Sequence, residues 1–526
     1  MAKDGELEVE STNAGTVANL KNPTLSDQDA ADLAGVGKRQ QLGRRFGFWS
    51  MLGFTTTMMC TWEAVLFANL TGLVDGAGPT LIYGFIFSWV GSLATAASMA
   101  ELASMAPVSG GQYHWVAILA PPKHSALLSW IAGWIATIGW NANTAAGAYF
   151  GATLTQGLLV LNYPDYGYER WHGTLLMYAI MLMVVIVNTV AVRLLPKIEG
   201  AMLAIHVIGF FAILIPLVKL APHGSPSSVF SEFGNLGGFK SDGLAWFVGL
   251  ISTNLPFVGY DGPCHMAEEV QNASRIVPRA MMGTLLLNGV LGFSMAIAFL
   301  FCIGDIETAI ASPTGYDLIQ VFYGATDSHA GTSVMTAILI VLVTFATFGF
   351  LATSSRQTWA FARDQGLPCS NFLAKVNQRL ELPLNSILVC TTFTALICLI
   401  NIGSTVAFNA IVSLTIAGLF ISYMIAIALL VSKRLTNSPV HWGPWRLGKF
   451  GLAINLYSLA FLFISVLFSF FPPELPVTAV NMNWSCVVFG GAVILGLVWY
   501  AFIGRKQYNG PIIEIDLLHP GQAEEA

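Results

Sequence analysis

Charged residues are scarce in this sequence. Only 10% of its 526 residues are Asp, Glu, Lys or Arg, against 55% that are hydrophobic, whereas soluble domains carry roughly a quarter charged residues. A water-soluble fold cannot hide that much apolar surface, so such folds are excluded. The net charge is -5, and no basic run interleaved with aromatics offers a phosphate backbone a footing, which argues against a nucleic-acid partner. The seven cysteines form no CxxC pair and no metal-ligand spacing, so they read as small buried hydrophobes and no metal site is expected. A GxxxxGK[ST] nucleotide loop is missing, which removes an ATP-driven pump. HExxH and GxSxG are missing too, so the chain is read as neither an enzyme nor a holder of any cofactor.

What the sequence has in quantity is long apolar runs. A spanning helix needs about 20 mostly apolar residues, because every backbone polar group must be satisfied within the segment. That length picks out twelve segments, at 46–74, 79–102, 124–160, 172–193, 197–221, 242–268, 280–304, 331–358, 383–402, 404–432, 449–471 and 479–503. With the N-terminus inside, 21 Lys and Arg fall on the cytosolic side and only Arg170, Lys219 and Lys240 outside. Basic residues accumulate in cytosolic loops, so the alternation supports both the count and an orientation with both termini cytosolic. Residues 1–45 hold no apolar core for a cleaved signal and read as a disordered cytosolic tail. Residues 46–503 form the membrane domain, and 504–526 a second cytosolic tail. Asn483 begins an Asn-Trp-Ser sequon in an outside loop, close to the membrane.

Two segments carry polar residues and helix breakers near their midpoints. The first reads GFTTTMMCTWEAVLFANLTGLVDG and contains Glu63; the sixth reads GLISTNLPFVGYDGPCHMAEEV and contains Pro256, Gly259, Asp261 and Pro263. Discontinuous helices at matching places in two halves point to a midplane substrate site, since unwound backbone turns its donors and acceptors toward a cavity. The interval of five helices between them fits an inverted repeat of five plus five, with two helices added. The expected fold is an all-α polytopic membrane protein with discontinuous helices 1 and 6.

Three stretches then resemble a known family. ELASMAPVSGGQYHW (101–115) looks like the loop after its second helix, FVGYDGPCHMAEEVQNASRIVPRAMMGT (257–284) like its broken sixth helix and following loop, and SSRQTWAFARDQGLP (354–368) like the Arg-rich loop after its eighth. Together they resemble the amino acid-polyamine-organocation transporters, in particular the fungal amino acid, GABA and choline permeases, over roughly residues 46–500. The resemblance implies alternating access, a substrate site between helices 1, 3, 6, 8 and 10, and transport driven by a proton gradient. One departure stands out. Where such permeases often keep a small Gly-Ser-Gly-like break, this chain looks to have Thr61, Trp62, Glu63 and Ala64, a bulky aromatic and an acid that set it apart from ordinary α-amino-acid recognition.

An ionisable residue within a span is a functional candidate by default. Glu63 can attract a substrate ammonium, carry a proton, or sit protonated and hydrogen-bonded to a neighbouring helix. Tyr260 and Asp261 lie in the sixth-helix break beside Gly259. With Trp62, and with Trp140 and Asn141 from the third helix, they can line a site suited to an amine through cation–π attraction, or simply pack. Phe257 matches a gating position of the family, or a core position. His206, alone in the apolar fifth helix, appears where proton-coupled relatives keep a lysine; it exchanges a proton near neutral pH, or is hydrogen-bonded in place. Glu101, Glu268, Glu269, Arg356, Arg363 and Asp364 fall at cytosolic helix ends, where they can form an inward gate or merely cap and snorkel.

The function expected is a proton-coupled secondary transporter of a small nitrogen-bearing solute, an amino acid, GABA, choline or a polyamine. Export of a specialised amine, or nutrient sensing on the same fold, is the alternative. The plasma membrane is preferred over the vacuole. The acid and aromatics favour a cationic amine; a zwitterion stays open because amides in the sixth-helix break can hold a carboxylate.

Overall fold

Backbone amides find no water in hydrocarbon, so each long apolar run closes its hydrogen bonds within a helix. The computed structural model describes residues 27–403, 407–479 and 481–513. Among them, ten helices are long and apolar enough to cross a membrane. The elements needed below are α1 (Asp27–Gly35), α2 (Phe48–Met59), α3 (Thr61–Phe67), α4 (Ala77–Met105), α5 (Gln112–Leu119), α6 (Pro122–Asn162), α7 (Arg170–Thr189) and α8 (Leu195–Leu220). They continue with α9 (Asp242–Asn254), α10 (Gly262–His265), α11 (Ala273–Cys302), α12 (Asp317–Thr326), α13 (His329–Arg363), α14 (Leu384–Cys398), α15 (Ala407–Leu435), α16 (Gly451–Ser469) and α17 (Ser485–Trp499).

Two expected segments are not among the ten, for different reasons. Segment 124–160 lies in α6, a 41-residue helix whose middle is Gly, Ala, Asn and Thr rather than Leu and Ile. It packs chiefly on α13 and α15, and small residues let helices approach closely where lipid supplies no hydrophobic drive. Segment 242–268 is not one helix. α9 stops at Asn254, a 3-10 turn covers Leu255–Phe257, and α10 resumes for four residues before a second 3-10 turn at Ala267–Glu269.

Burial sorts the bundle into centre and rim. Of the best apolar window in the first span, Phe48–Val74, 89% is buried in protein, against 11% for Ser485–Gln507. Leu495 and Phe502 in that last span are exposed, as a lipid-facing surface requires.

The tails need correcting. Residues 27–45 are ordered: α1 forms, and Leu33, Lys38, Leu42 and Arg44 are buried. The Asp29 carboxylate accepts from the Asn272 and Ala273 amides at 3.1 and 3.2 Å, capping α11, and pairs with Arg44 at 3.2 Å. Averaged composition hid this segment because its polar groups are individually matched. At the other end, Tyr508 is buried with its hydroxyl 2.9 Å from Ser129 Oγ. Residues 1–26 and 514–526 lie outside the described residues. The sequon is corrected as well: the buried Asn483 amide donates to Ser469 O, Ser413 Oγ and Phe471 O at 2.8–3.1 Å, so it is spent on packing.

Helices α6 and α15 cross in close contact. A Cβ on Gly418 would lie 2.7 Å from Gly139 Cα. This contact sets the spacing of Trp140 and Tyr423, on which the site depends. Gly418→Val is expected to overpack the crossing by about 1–3 kcal/mol, lowering the melting temperature of the purified protein by several degrees and reducing uptake. Gly490→Ala, where a Cβ meets nothing within 4 Å, should not lower it.

Outside the spans, burial raises the Asp317 carboxyl of α12 from 3.8 to about 7. The folded protein then holds a proton that the unfolded chain has released, so this group makes stability fall as pH rises from about 4 to about 7, and the loss persists above. Asp317→Asn removes it. The variant's advantage in melting temperature should widen between about pH 5 and pH 8; a constant difference would contradict the assignment.

Candidate substrate and coupling site

The break in the first helix falls at Cys60, with φ 51° and ψ 42°. A side chain in the left-handed region costs about 1–2 kcal/mol, so the kink is held by what surrounds it. Thr61, Trp62, Glu63 and Ala64, the expected break, instead form the first turn of α3. The facing break uses Gly259, whose φ of 103° suits a residue without Cβ. Thr61 Oγ1 donates to Pro256 O at 2.7 Å and ties the breaks together.

Between them lies a cavity of about 30 Å³ lined by Cys60, Ala64, Phe67, Asn143, Phe150, Val258 and Phe350, among others. The Asn143 Nδ2 group is buried and takes no hydrogen bond. Of the expected site residues, only Ala64 lines this cavity. Trp62, Glu63, Trp140, Asn141, Tyr260 and Asp261 do not, because other groups claim them.

Glu63 turns toward α8. Its Oε1 lies 2.7 Å from His206 Nδ1, and His206 Nε2 lies 3.2 Å from Asn288 Oδ1. Asn288 Nδ2 donates to Thr56 O at 3.0 Å, which fixes the amide with Oδ1 toward the imidazole. His206 Nε2 therefore carries a hydrogen, and Glu63 and His206 share one proton across the 2.7 Å contact. The pair is neutral overall whichever partner holds it. Glu63 Oε2 accepts no N–H or O–H bond, and the carboxyl adjoins the Cys60 thiol at the cavity edge. Trp62 packs against His206 and Phe210, with ring centroids 5.7 and 5.8 Å away.

Asp261 heads a second cluster. Its Oδ1 accepts from Tyr423 at 2.6 Å; its Oδ2 accepts from Gln112 at 2.7 Å and Trp140 at 3.3 Å, with His265 Nε2 at 3.2 Å. His265 Nδ1 donates to Ser109 O at 3.0 Å, so its Nε2 must carry a second hydrogen to donate to an ionised Asp261. Tyr260 packs on Tyr423, ring centroids 5.6 Å apart. Asn141 Nδ2 donates to Thr137 O within its own helix, and Phe257 packs on Phe85 at 4.8 Å.

The six gate candidates at the helix ends are all engaged, though not with one another alone. Arg363 forks onto Glu268 at 2.8 and 3.0 Å and stacks over Trp359; Arg356 donates to Glu269 at 2.8 Å. Glu101 pairs with Arg434 at 2.5 Å and accepts from the Leu447 amide. Asp364 accepts from Lys38 at 2.5 Å, Tyr113 at 2.7 Å and the Ile512 amide at 2.9 Å. Sequence reasoning missed Lys38, Gln112, Asn143, His265, Asn288 and Tyr423. Only His265, four residues after Asp261, carried a local signal.

A family model described as amino acid permease matches residues 46–492. A putative amino acid/polyamine transporter of Macrophomina phaseolina is 34% identical over 442 residues, 83% of this chain and 96% of that protein. The choline transporter of Saccharomyces cerevisiae is 32% identical over 492 residues, 92% of this chain and 86% of that one. Amino-acid permease BAT1 of Arabidopsis thaliana is 29% identical over 514 residues, 93% and 98% respectively.

Removing one partner of a buried ion pair strands the other charge, at about 3–5 kcal/mol. Arg356→Met should therefore lower thermal stability sharply by orphaning Glu269, and Arg356→Met with Glu269→Gln should recover most of the loss. Equal melting temperatures for single and double variants would show that the pair contributes nothing as a pair.

Proposed function

The chain belongs to the amino acid permease family, and from that premise we propose a proton-coupled secondary transporter of a small cationic amine that carries an oxygen acceptor. The observation that carries this reading is the Glu63–His206 pair, whose carboxyl adjoins the Cys60 thiol that lines the cavity between the two breaks. Two titratable groups sharing one proton change net charge by one unit when a proton enters or leaves, and the unpartnered Oε2 gives that proton, or a cationic substrate, a place to bind.

The cavity lining supports the substrate class. Phe67, Phe150 and Phe350 offer ring faces and apolar contact to alkylated nitrogen, and the free Asn143 amide offers a hydrogen to a hydroxyl or carboxylate oxygen. Choline combines both features, as the yeast relative's name suggests. GABA and amino acids meet the second requirement. The architecture proposed is twelve spans in a five-plus-five inverted repeat, which the paired breaks support, and the basic-residue asymmetry supports cytosolic termini. In this reading the ion pairs beneath the breaks form the closed inward gate of a plasma-membrane permease.

Uptake of radiolabelled choline, GABA, polyamines and amino acids into cells expressing the chain tests the proposal. Saturable uptake of a cationic amine, stimulated by external acid, is expected. His206→Ala should keep substrate binding while losing the pH dependence, and Glu63→Gln should weaken cationic amines by about tenfold or more beyond any effect on zwitterions. An unchanged pH profile in His206→Ala would remove the coupling role. Equal loss for both substrate classes in Glu63→Gln would remove the cation role of the acid.

A further inference from the structure

Helix α8 buries a second titratable group besides His206, the carboxyl of Glu199. Glu199 lies seven residues before His206 on α8, two turns or about 10 Å away along the axis. Both project from the buried face marked by Leu195, Glu199, Met202, His206, Phe210 and Ile213. The Glu199 side chain is 1% exposed, and its Oε1 takes no hydrogen bond. Its one polar partner among the described residues is Thr57 of α2, whose Oγ1 lies 2.8 Å from Oε2. The same hydroxyl lies 2.8 Å from Gly53 O. A hydroxyl has one hydrogen. When it goes to the carbonyl, the contact with Glu199 is completed by a hydrogen on the carboxyl itself.

The surroundings leave that proton unopposed. From α2 come only Gly53 and Thr57, neither charged. Among the described residues, no charged group of α2, α11, α12 or α13, the elements packed against α8, acts on the carboxyl. On α8 itself, Lys197 is exposed at the helix start and His206 is two turns on. The cytosolic ion pairs are mutually matched, Arg356 with Glu269 and Arg363 with Glu268. An ionised carboxylate without a cation is costly in a membrane interior, so the packed arrangement is that of a neutral acid. The seam that covers it is tight, since a Cβ on Gly53 would lie 2.7 Å from Glu199 O. Any separation of α2 from α8 at Gly53 exposes the acid to water and lets it ionise.

We infer that Glu199 is a second protonation site, placed on α8 between the cytosol and the Glu63–His206 pair. It rests on the proposed proton coupling of that pair and adds the group through which the proton leaves toward the cytosol. Thr57 positions it, and the α2–α8 seam controls its access to water.

The test uses the full-length protein in liposomes, with a trapped pH-sensitive dye and radiolabelled choline or whichever substrate the uptake panel identifies. Glu199→Gln keeps a neutral hydrogen-bonding group of the same size but cannot titrate. It should cut substrate-driven proton movement, relative to substrate counterflow, by about tenfold or more, and Glu199→Asp should restore much of it. Thr57→Val, which removes the positioning hydroxyl and leaves the acid, should shift the pH midpoint of uptake without abolishing it. If Glu199→Gln matches the parent in both proton movement and pH profile, the carboxyl is only a neutral packing group and the inference fails alone. If the parent moves substrate without protons, the coupling reading and this one fall together. Should Glu199→Gln not fold, an unshifted pH profile in Thr57→Val and Glu199→Asp would overturn the inference.

Discussion

A carboxylate at the centre of a helical bundle survives only if donors surround it, and Asp261 meets that condition with groups from four places. Tyr423 reaches it from α15, Trp140 from α6, Gln112 from the start of α5, and His265 from the turn of α10 that follows. These bonds hold the unwound segment of the second break against the two helices that enclose it. Severing one would leave a buried donor unmatched, at about 1–3 kcal/mol. The Gly139–Gly418 contact exists in the service of the same geometry, because it sets how near Trp140 and Tyr423 can come.

Three buried acids in this chain meet three environments, and the differences assign their work. Asp261 has donors on both oxygens. Glu63 is half-satisfied: one oxygen faces an imidazole, the other accepts no N–H or O–H bond. Glu199 has one hydroxyl and no cation. A carboxyl's capacity to exchange protons grows as fixed partners are removed, because each fixed donor stabilises one protonation state. By that measure the order of functional interest is not the order in which the sequence draws the eye, since Asp261 sits in the most recognisable motif and is the most fully bound.

What could be read from the sequence followed from the bilayer. Long apolar runs had to be helices, and Pro256, Gly259 and Pro263 could not lie in an unbroken one, so the second break was legible. The first was placed one residue late, because Cys60 adopts a left-handed conformation that nothing in its side chain announces. The pairing of Glu63 with His206 was not legible. Each was a credible candidate alone, but 143 residues separate them and no spacing rule spans that distance. The cavity lining escaped for a related reason: Asn143, Phe150 and Phe350 look like ordinary core residues until the breaks are brought together. The tails misled because composition averages over residues whose charges are matched one by one, as Lys38 is by Asp364.

That last pair links the two ends of the molecule. Asp364 closes α13 and receives Lys38 from the N-terminal segment, Tyr113 from α5 and the Ile512 amide from the C-terminal segment. On the same helix, Arg363 and Arg356 bind Glu268 and Glu269, which end the second broken helix. The end of α13 is therefore tied at once to the second break and to the segments around Lys38 and Ile512. Buried charges at such positions contribute little net stability compared with apolar packing. Their value is discrimination, since an arrangement in which any one of them lost its partner would be strongly disfavoured. At these helix ends the arrangement in the structure is the one in which each of these charges has its partner.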